Sequence, residues 1–198
     1  MSQQFGSSYT NYQLDRSWLR KRVRQFYLRK AASLVQGATL DFGCGVGELL
    51  RLLPGGSRGL EYNKATVDYC RSQGLSVDYY DGFEDDWALS SVLDGATFES
   101  MVISHVLEHL DDPMDKFRKL LTAAASFDVR RVLVIVPGKA GYRFDPTHLT
   151  FVDQEMLIAA VETTDFTLES SGYYPGNIRG IGDWFTYHEL QMVLIKGE

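Results

Sequence analysis

The sequence predicts an α/β fold, a doubly wound and mostly parallel sheet with helices on both faces. From residue 38 onward, short runs rich in Val, Ile, Leu and aromatic residues alternate with segments of helical periodicity, as in right-handed β–α–β units. After Pro137 this alternation of strands and helices ends, and no crossover helix fits between the last two β-like runs. These two runs should therefore pair antiparallel at one edge of the sheet.

Seven segments are predicted as strands, because aliphatic, β-branched and aromatic residues dominate them. In chain order they are residues 39–42, 57–62, 75–80, 98–104, 130–136, 166–174 and 189–196. Helices are predicted at residues 46–53, 63–74, 85–93, 111–125 and 152–162, the last opened by Asp153 or a neighbour as N-cap. Residues 138–151 are predicted as a loop.

Length and composition indicate one globular domain with a short N-terminal extension. A chain of 198 residues with 44% hydrophobic residues can fill one sizeable core. We expect residues 1–35 to form a basic helical arm and residues 36–198 to form the main domain. Cys44 and Cys70 form no metal or disulfide spacing, which indicates a reducing, cytoplasmic setting. No signal peptide or membrane-spanning run is evident.

The arm contains the most basic stretch of the chain. Residues 16–30 hold seven of its twenty Lys and Arg residues and no acid, although the net charge of the whole chain is −6. Leu19, Val23 and Phe26 recur at helical spacing, which predicts an amphipathic helix with a basic outer face. That face could contact nucleic acid, an anionic substrate or a membrane surface. Because charge runs usually solvate a helix, we favour a solvated face, and nucleic acid is not the expected partner.

The stretch TLDFGCGVGE places three glycines on alternate positions directly after the first strand. In an open α/β sheet, ligands bind at this carboxyl edge. A dinucleotide fingerprint, G-x-G-x-x-G, would need a third glycine where Glu48 stands, and a carboxylate there would repel a pyrophosphate. Gly43, Gly45 and Gly47 therefore indicate a phosphate-free or cationic ligand, with Asp41 placed to hold its positive group.

Acidic and aromatic residues follow the next two strands. Glu61 ends the second strand, twenty residues after Asp41, where a carboxylate commonly accepts hydrogen bonds from ribose hydroxyls. Asp81 and Phe83 follow the third strand and offer an acceptor for an adenine amino group and an apolar surface for its ring. Each alone is typical of a solvated turn, but together at neighbouring strand ends they predict an adenosine-containing ligand.

The motifs TLDFGCGVGELL, GLEYN, YYDGF and MVISHVLEHLDDP resemble those of the class I S-adenosylmethionine-dependent methyltransferases, over roughly residues 36–137. The resemblance implies a Rossmann-like, seven-stranded sheet whose last strand is antiparallel, and S-adenosyl-L-methionine as the cofactor. It implies cofactor contacts with the glycine turn and with the ends of strands two, three and four. The residues so implied are Asp41, Gly43, Cys44, Gly45, Gly47, Glu61, Tyr62, Asn63, Asp81, Gly82, Phe83, Ser104, His105 and Val106.

The fourth-strand motif also contains an H-x-x-E-H pattern, His105-Val-Leu-Glu108-His109. In metalloproteases, two such histidines one helical turn apart bind zinc beside a glutamate base. A third ligand from a different fold would be needed, and the motif follows a parallel strand, so no metal site is predicted. His109 is kept as a candidate catalytic residue; the alternative is a polar helix residue packed beneath the loop.

His148 lies in FDPTHLTF, in the loop after the fifth strand, which should overhang the methyl group. Related enzymes that methylate oxygens of small molecules carry a similar H-x-x-F segment there. His148 is therefore a candidate general base or substrate-orienting residue. The alternative is a histidine that anchors the loop through hydrogen bonds, and proximity and alignment alone can supply much of the rate of methyl transfer.

The fourth strand ends in Ser-His-Val and lacks the Asn/Asp-Pro-Pro-aromatic sequence typical of methyltransferases acting on amide or nucleobase nitrogens. Aromatic residues in the arm and late loops fit an apolar or aromatic acceptor; the alternative is that their rings only pack these loops. Oxygen and carbon acceptors are favoured over these nitrogens, and no segment is recognisable as a domain that binds a macromolecule. We predict methyl transfer to a small molecule, at oxygen, by a monomer or homodimer without membrane contact. One alternative is an RNA or protein methyltransferase that docks through the basic helix. The other is a non-catalytic module that binds the cofactor.

Overall fold

A computed structural model describes residues 18–90 and 97–197, with side chains from residue 24 onward. Seven strands in these ranges form one sheet. They are β1 (Thr39–Phe42), β2 (Arg58–Glu61), β3 (Val77–Tyr79), β4 (Ser100–Ser104), β5 (Arg131–Pro137), β6 (Phe166–Tyr174) and β7 (Glu189–Lys196). Their order across the sheet is β3-β2-β1-β4-β5-β7-β6. All the predicted strands are confirmed in place.

Strand directions also follow the prediction. β1 pairs in parallel with β2 and β4, β2 with β3, and β4 with β5. β7 is antiparallel to both β5 and β6 and lies between them. The strand order reverses between β1 and β4, which is the point where an open α/β sheet leaves a crevice beyond its carboxyl ends.

Five α-helices lie in the described ranges. They are α1 (Trp18–Ala32), α2 (Lys64–Ser72), α3 (Pro113–Ser126), α4 (Lys139–Phe144) and α5 (Gln154–Val161). α5 begins as predicted, because the Asp153 side chain accepts a hydrogen bond from the Met156 N–H. α4 lies within the segment predicted as a loop, so that prediction is wrong for residues 139–144.

The helix predicted at residues 46–53 is wrong, because only a 3₁₀ turn, Leu50–Leu52, forms there. Gly47 has a φ of +74°, which a right-handed helix cannot include. At the other end, Pro54 disfavours helical angles at Leu53, which is extended. Too few residues remain between these two positions for a stable α-helix.

The helix predicted at residues 85–93 is wrong over its described part. Residues 85–90 form turns, and the remainder lies outside the described ranges. Asp86, Trp87 and Leu89 have left-handed φ values of 46°, 63° and 55°. Three such residues so close together are incompatible with an α-helix.

α1 forms where the basic helix was predicted, and its C-terminal half packs on the sheet. Leu28 and Ala31 are buried against core residues of β4, β5 and β7. Phe26, expected on the packed face, is 63% exposed, so that expectation is wrong. Leu19 and Val23, the other two residues of that pattern, lie outside the residues whose side chains the structure describes.

The main core lies between the sheet and helices α3 and α5. Phe117, Leu120 and Leu157 are fully buried there with Met101 and Val134 of the strands. None of the helices in the described ranges is both long and apolar enough to cross a membrane.

Candidate active site

The glycine turn after β1 adopts backbone angles that favour glycine. Gly43, Gly45 and Gly47 have φ values of +73°, +53° and +74°, in the left-handed region where a side chain costs energy. Space is limited as well, because a Cβ on Gly43 would lie 2.5 Å from Cγ2 of Val106. Glycine at position 43 therefore permits both the turn and its close approach to the segment that follows β4.

Glu61, at the end of β2, holds this turn in place. Its Oε2 accepts a hydrogen bond from the Gly45 N–H at 2.9 Å, and its Oε1 accepts one from the Asn63 N–H at 2.8 Å. Burial raises the pKa of Glu61, and these backbone donors oppose the rise. The residue is still partly exposed, so its carboxylate can also accept a hydrogen bond from a ligand hydroxyl.

Asp41 in β1 is an acid with only 2% of its surface exposed. Its Oδ2 has no hydrogen-bond partner among the described residues. Burial raises the pKa of Asp41 to about 7; the Glu61 carboxylate adds to the rise, and Arg24 opposes it. A positively charged group beside Asp41 would stabilise the carboxylate, which fits the predicted cationic ligand.

Exposed aromatic rings lie in the segments predicted to contact adenine. Phe83 is 53% exposed, and its ring packs edge-on against Trp87 with centroids 5.2 Å apart. Tyr62, the residue directly after β2, is 37% exposed. The Asp81 Oδ1 accepts a hydrogen bond from the Phe83 N–H at 2.9 Å, and Gly82 lies against the Trp87 ring. This segment therefore presents apolar surface and one carboxylate at the end of β3.

Two of the predicted cofactor residues use their side chains for structure. The Asn63 side chain is buried and caps α2, since its Oδ1 accepts hydrogen bonds from the Ala65 and Thr66 N–H groups. The Cys44 side chain packs with Val67 and its neighbours beneath the turn. Only the backbones of these two residues are therefore expected to face the ligand.

His105, directly after β4, has a left-handed φ of 55°, which is uncommon for a residue other than glycine. Its N–H donates to the Ile135 carbonyl at 3.0 Å, which helps to hold this conformation. The imidazole lies between two acids, with Nδ1 3.0 Å from Glu108 Oε1 and Nε2 3.2 Å from Glu189 Oε2. Burial lowers the pKa of His105, but the two acids outweigh it and raise the pKa to about 9. His105 is therefore protonated at neutral pH and donates both hydrogen bonds.

The loop after α4 is joined to the segment after β4 through Glu108. The Glu108 carbonyl accepts hydrogen bonds from the Leu149 N–H at 2.7 Å and the Thr150 N–H at 3.1 Å. These bonds bring His148 next to His109, with ring centroids 4.8 Å apart. The two predicted catalytic histidines, distant in sequence, are thus neighbours.

Backbone carbonyls fix both of these rings. His109 Nδ1 lies 3.2 Å from the Thr147 carbonyl oxygen, and His148 Nδ1 lies 2.9 Å from that of Tyr142. A carbonyl oxygen only accepts, so each Nδ1 carries a proton and each neutral ring has its lone pair on Nε2. Burial lowers the pKa of His109, which favours its neutral form. His148 is also stacked on the Tyr142 ring, with centroids 5.6 Å apart.

The sequence prediction did not include Glu108 or Glu189 among the site residues. Glu108 is fully buried, and Glu189, at the start of β7, is 7% exposed. An acid that opens an otherwise apolar strand was a signal for Glu189. Glu108 was visible in the H-x-x-E-H pattern, but only the fold shows that it contacts His105 and approaches His148.

The basic helix α1 borders this site. Arg24 forms a hydrogen-bonded ion pair with Glu48 in the glycine turn. Tyr27 packs edge-on against Tyr174, with ring centroids 4.9 Å apart, and the field of Glu189 adds to the effect of burial in raising the pKa of Tyr27. At least part of the helix therefore faces the site and not the solvent.

Comparison with known proteins agrees with this geometry. The sequence matches the family described as "Methyltransferase domain" over residues 12–171. No match to the sequence was found among curated proteins. Many solved structures share the fold.

Three of these structures show how similar the chain is to solved proteins in sequence and fold. An S-adenosylmethionine-dependent methyltransferase from Archaeoglobus fulgidus is 21% identical, with a TM-score of 0.68 over 88% of this chain and 94% of the other. Magnesium protoporphyrin IX methyltransferase from Synechocystis, solved with bound S-adenosylhomocysteine, is 14% identical, with a TM-score of 0.67 over 98% and 96%. Geranyl diphosphate C-methyltransferase from Streptomyces coelicolor is 11% identical, with a TM-score of 0.61 over 89% and 80%. At these identities the structures share a fold, and the names of the last two give different substrates.

Proposed function

Because the chain belongs to the class I S-adenosylmethionine-dependent methyltransferases, we propose that it transfers a methyl group to an oxygen atom of a small molecule. S-adenosyl-L-methionine is the cofactor. The observation that carries the choice of oxygen is the pair of imidazoles, His109 and His148, held beside the end of β4 with their Nε2 lone pairs free of backbone partners.

The cofactor side fits a sulfonium nucleoside in two respects. The unpartnered Oδ2 of Asp41 suits the ammonium group of the amino-acid tail, and the glycine turn leaves room for the backbone to approach the ligand. We assign the ribose hydroxyls to Glu61 and the adenine to the surface formed by Tyr62, Gly82 and Phe83. Ser104, His105 and Val106 would then border the sulfonium end. The bound cofactor supplies an electrophilic methyl group that is displaced in line by the acceptor.

The histidines would act on the acceptor hydroxyl. An imidazole with an unprotonated Nε2 can accept the proton that the oxygen loses, and a base that is neutral at physiological pH is suited to this task. His148 is the first candidate, because Tyr142 both stacks on the ring and accepts from its Nδ1–H. The segment after β4 also lacks the Asn/Asp-Pro-Pro-aromatic sequence typical of methyltransferases that act on amide or nucleobase nitrogens.

Exposed apolar residues near this loop support an apolar or aromatic acceptor. Phe144 at the end of α4 is 64% exposed, and Leu149 beside His148 is 52% exposed. α4 contacts the 3₁₀ turn Arg179–Asp183, which is followed by Trp184, 74% exposed. These side chains would cover the body of a hydrophobic acceptor whose hydroxyl reaches the histidines.

The test is a methylation assay with labelled cofactor and matched acceptors that differ in one atom. Phenols and hydroxylated aromatic acids should be methylated, whereas the corresponding anilines and thiophenols should not. His148→Ala should lower turnover about 100-fold or more, the lower end of the range for loss of a general acid or base. Affinity for S-adenosylhomocysteine, measured by calorimetry, should be unchanged. Preferential methylation of the amines would overturn the assignment to oxygen.

The two other functions predict different results. An RNA or protein methyltransferase that docks through α1 should bind RNA with steep salt dependence, or modify a protein substrate. The burial of Leu28 and Ala31 and the Arg24–Glu48 pair instead support α1 as a wall of the site. A cofactor-binding module should bind the cofactor without any turnover. We further propose a cytoplasmic monomer or homodimer, a setting that suits the two free cysteines.

A further inference from the structure

We infer that Glu108, His109 and His148 form a binding site for a divalent transition-metal ion, and that this ion holds the acceptor oxygen beside the methyl group. The second part rests on the proposed function. The first part concerns metal binding alone and can be tested without any methyl acceptor.

The three side chains already converge. One ligand atom from each lies within 4.8 Å of the other two, and His148 Nε2 is 3.9 Å from Glu108 Oε1. Around an ion with ligand bonds of about 2.0–2.2 Å, such atoms lie roughly 3–3.5 Å apart. Small side-chain rotations would therefore close the group around a metal.

In both histidines, the ring nitrogen that would not bind the metal makes the hydrogen bond expected of a metal ligand. Metal-binding imidazoles usually donate the other ring N–H to a carbonyl or carboxylate, which orients the ring and leaves the opposite nitrogen free to coordinate. The carbonyls of Thr147 and Tyr142 accept from Nδ1 of His109 and His148, respectively. This leaves Nε2 of each ring as the coordinating atom.

Glu108 supplies an independent observation. Its side chain is fully buried, yet Oε2 has no hydrogen-bond partner among the described residues. Oε1 is already used by His105. A buried carboxylate oxygen without a partner is costly, and a cation would remove that cost.

The donor set selects the kind of metal. Two imidazole nitrogens and one carboxylate suit Zn²⁺, Co²⁺ or Fe²⁺, whereas Mg²⁺ and Ca²⁺ prefer oxygen ligands. His105 is not a ligand, because both of its nitrogens are hydrogen-bonded to acids. The site therefore differs from the metalloprotease reading of H-x-x-E-H, in which the first histidine of the pattern binds zinc.

Three protein ligands leave a coordination position open for the acceptor. A hydroxyl bound there loses its proton more readily, because the metal stabilises the resulting oxygen anion. The O–H bond breaks and the proton passes to solvent. The oxygen then forms the O–CH₃ bond while the S–CH₃ bond breaks, and its electron pair stays on sulfur. His148 would then contact the acceptor through the ion and not as the base.

Metal binding is tested on the full chain after removal of bound metal with a chelator. Titration calorimetry with ZnCl₂ should give one tight site, and Co²⁺ should give a visible d–d absorption. Glu108→Gln, His109→Ala and His148→Ala should each weaken Zn²⁺ binding at least 100-fold and abolish the Co²⁺ band. Glu155→Gln, at an acid that is 80% exposed in α5, is the matched control and should change neither.

Unchanged S-adenosylhomocysteine affinity would show that the ligand variants are folded. Absence of a stoichiometric site in the wild-type chain would overturn the inference, as would Zn²⁺ affinities in the ligand variants equal to that of Glu155→Gln. If oxygen methylation continues at full rate in the metal-free protein, the acceptor role is wrong while the proposed function stands. If Zn²⁺ binds as expected but only amines are methylated, the proposed function fails and the metal site stands.

Discussion

The crevice beyond the carboxyl ends of the strands has two halves that are built in different ways. The half proposed to bind the cofactor, here called the cofactor half, comes from the turns after β1, β2 and β3, where Asp41, Glu61 and the glycine turn lie within about twenty residues of one another. The other half, proposed to bind the methyl acceptor, is called the acceptor half. The acceptor half is assembled from side chains after β4, in the loop after α4, and at the start of β7. The first half is formed mainly by backbone shape and two acids, and the second by a network of long-range side-chain contacts.

The largest effect should come from the buried acid of the cofactor half. Because the folded-state pKa of Asp41 is raised from 3.8 to about 7, the folded state holds a proton that the unfolded state has lost between these values. Stability should therefore fall as pH rises from about 4 to 7 and level off above. At roughly 1.4 kcal/mol per pKa unit, the loss between pH 5 and pH 8 is about 2–3 kcal/mol.

Asp41→Asn should remove this loss. Chemical unfolding of wild type and variant at pH 5 and pH 8 measures the difference in free energy of unfolding. As the pH rises, the free energy of unfolding of the variant should increase relative to that of the wild type, however much stability the substitution itself removes. Parallel pH dependence in the two proteins would show that Asp41 is ionised without penalty in the fold, and would weaken its assignment to a cationic group.

The next effect concerns Glu61, which both holds the turn and is assigned to the ribose. Glu61→Ala should weaken cofactor binding by about 1–3 kcal/mol, since a charged hydrogen-bond partner is lost. Calorimetry with S-adenosylhomocysteine measures this change in affinity. Glu84→Ala is the control, because Glu84 is an exposed acid in the segment after β3. Equal affinities in the two variants would contradict the assignment.

The arrangement of residues in the cofactor half could be predicted from sequence because they lie in contiguous motifs. Glycines at alternate positions and acids at strand ends remain neighbours once the strands are aligned in parallel. The prediction failed at residues 46–53, where the spacing of apolar residues predicts a helix. Gly47 and Pro54 leave too few residues between them for one to form. Backbone restrictions outweighed side-chain periodicity there.

The acceptor half could be predicted only in part. His109 and His148 were recognisable one by one, but their contact depends on hydrogen bonds between the Glu108 carbonyl and the loop that follows α4. Glu189 reaches His105 only because β7 is inserted between β5 and β6. No local pattern encodes a meeting of residues more than 80 positions apart.

A smaller effect separates conformational strain from crowding in the glycine turn. Gly43 and Gly74 have nearly equal φ values, +73° and +75°, but a Cβ would meet Val106 only at Gly43 and nothing within 4 Å at Gly74. Gly43→Ala should therefore cost about 1 kcal/mol more stability than Gly74→Ala, which carries the left-handed penalty alone. Thermal or chemical unfolding checks this, and equal losses would mean that Val106 moves away freely.

The smallest effect concerns α1, which touches both halves. Arg24→Ala should lower stability by about 0.2–1 kcal/mol, because its pair with Glu48 is partly exposed. The loss should shrink as NaCl rises from 50 to 500 mM, since salt screens such pairs. Arg29→Ala, at an exposed position of the same helix, is the matched control and should cost less at low salt. Equal losses in the two variants would mean that the charge of Arg24 does not stabilise the glycine turn, and the basic face would then be a solvated one, as the sequence pattern alone favours.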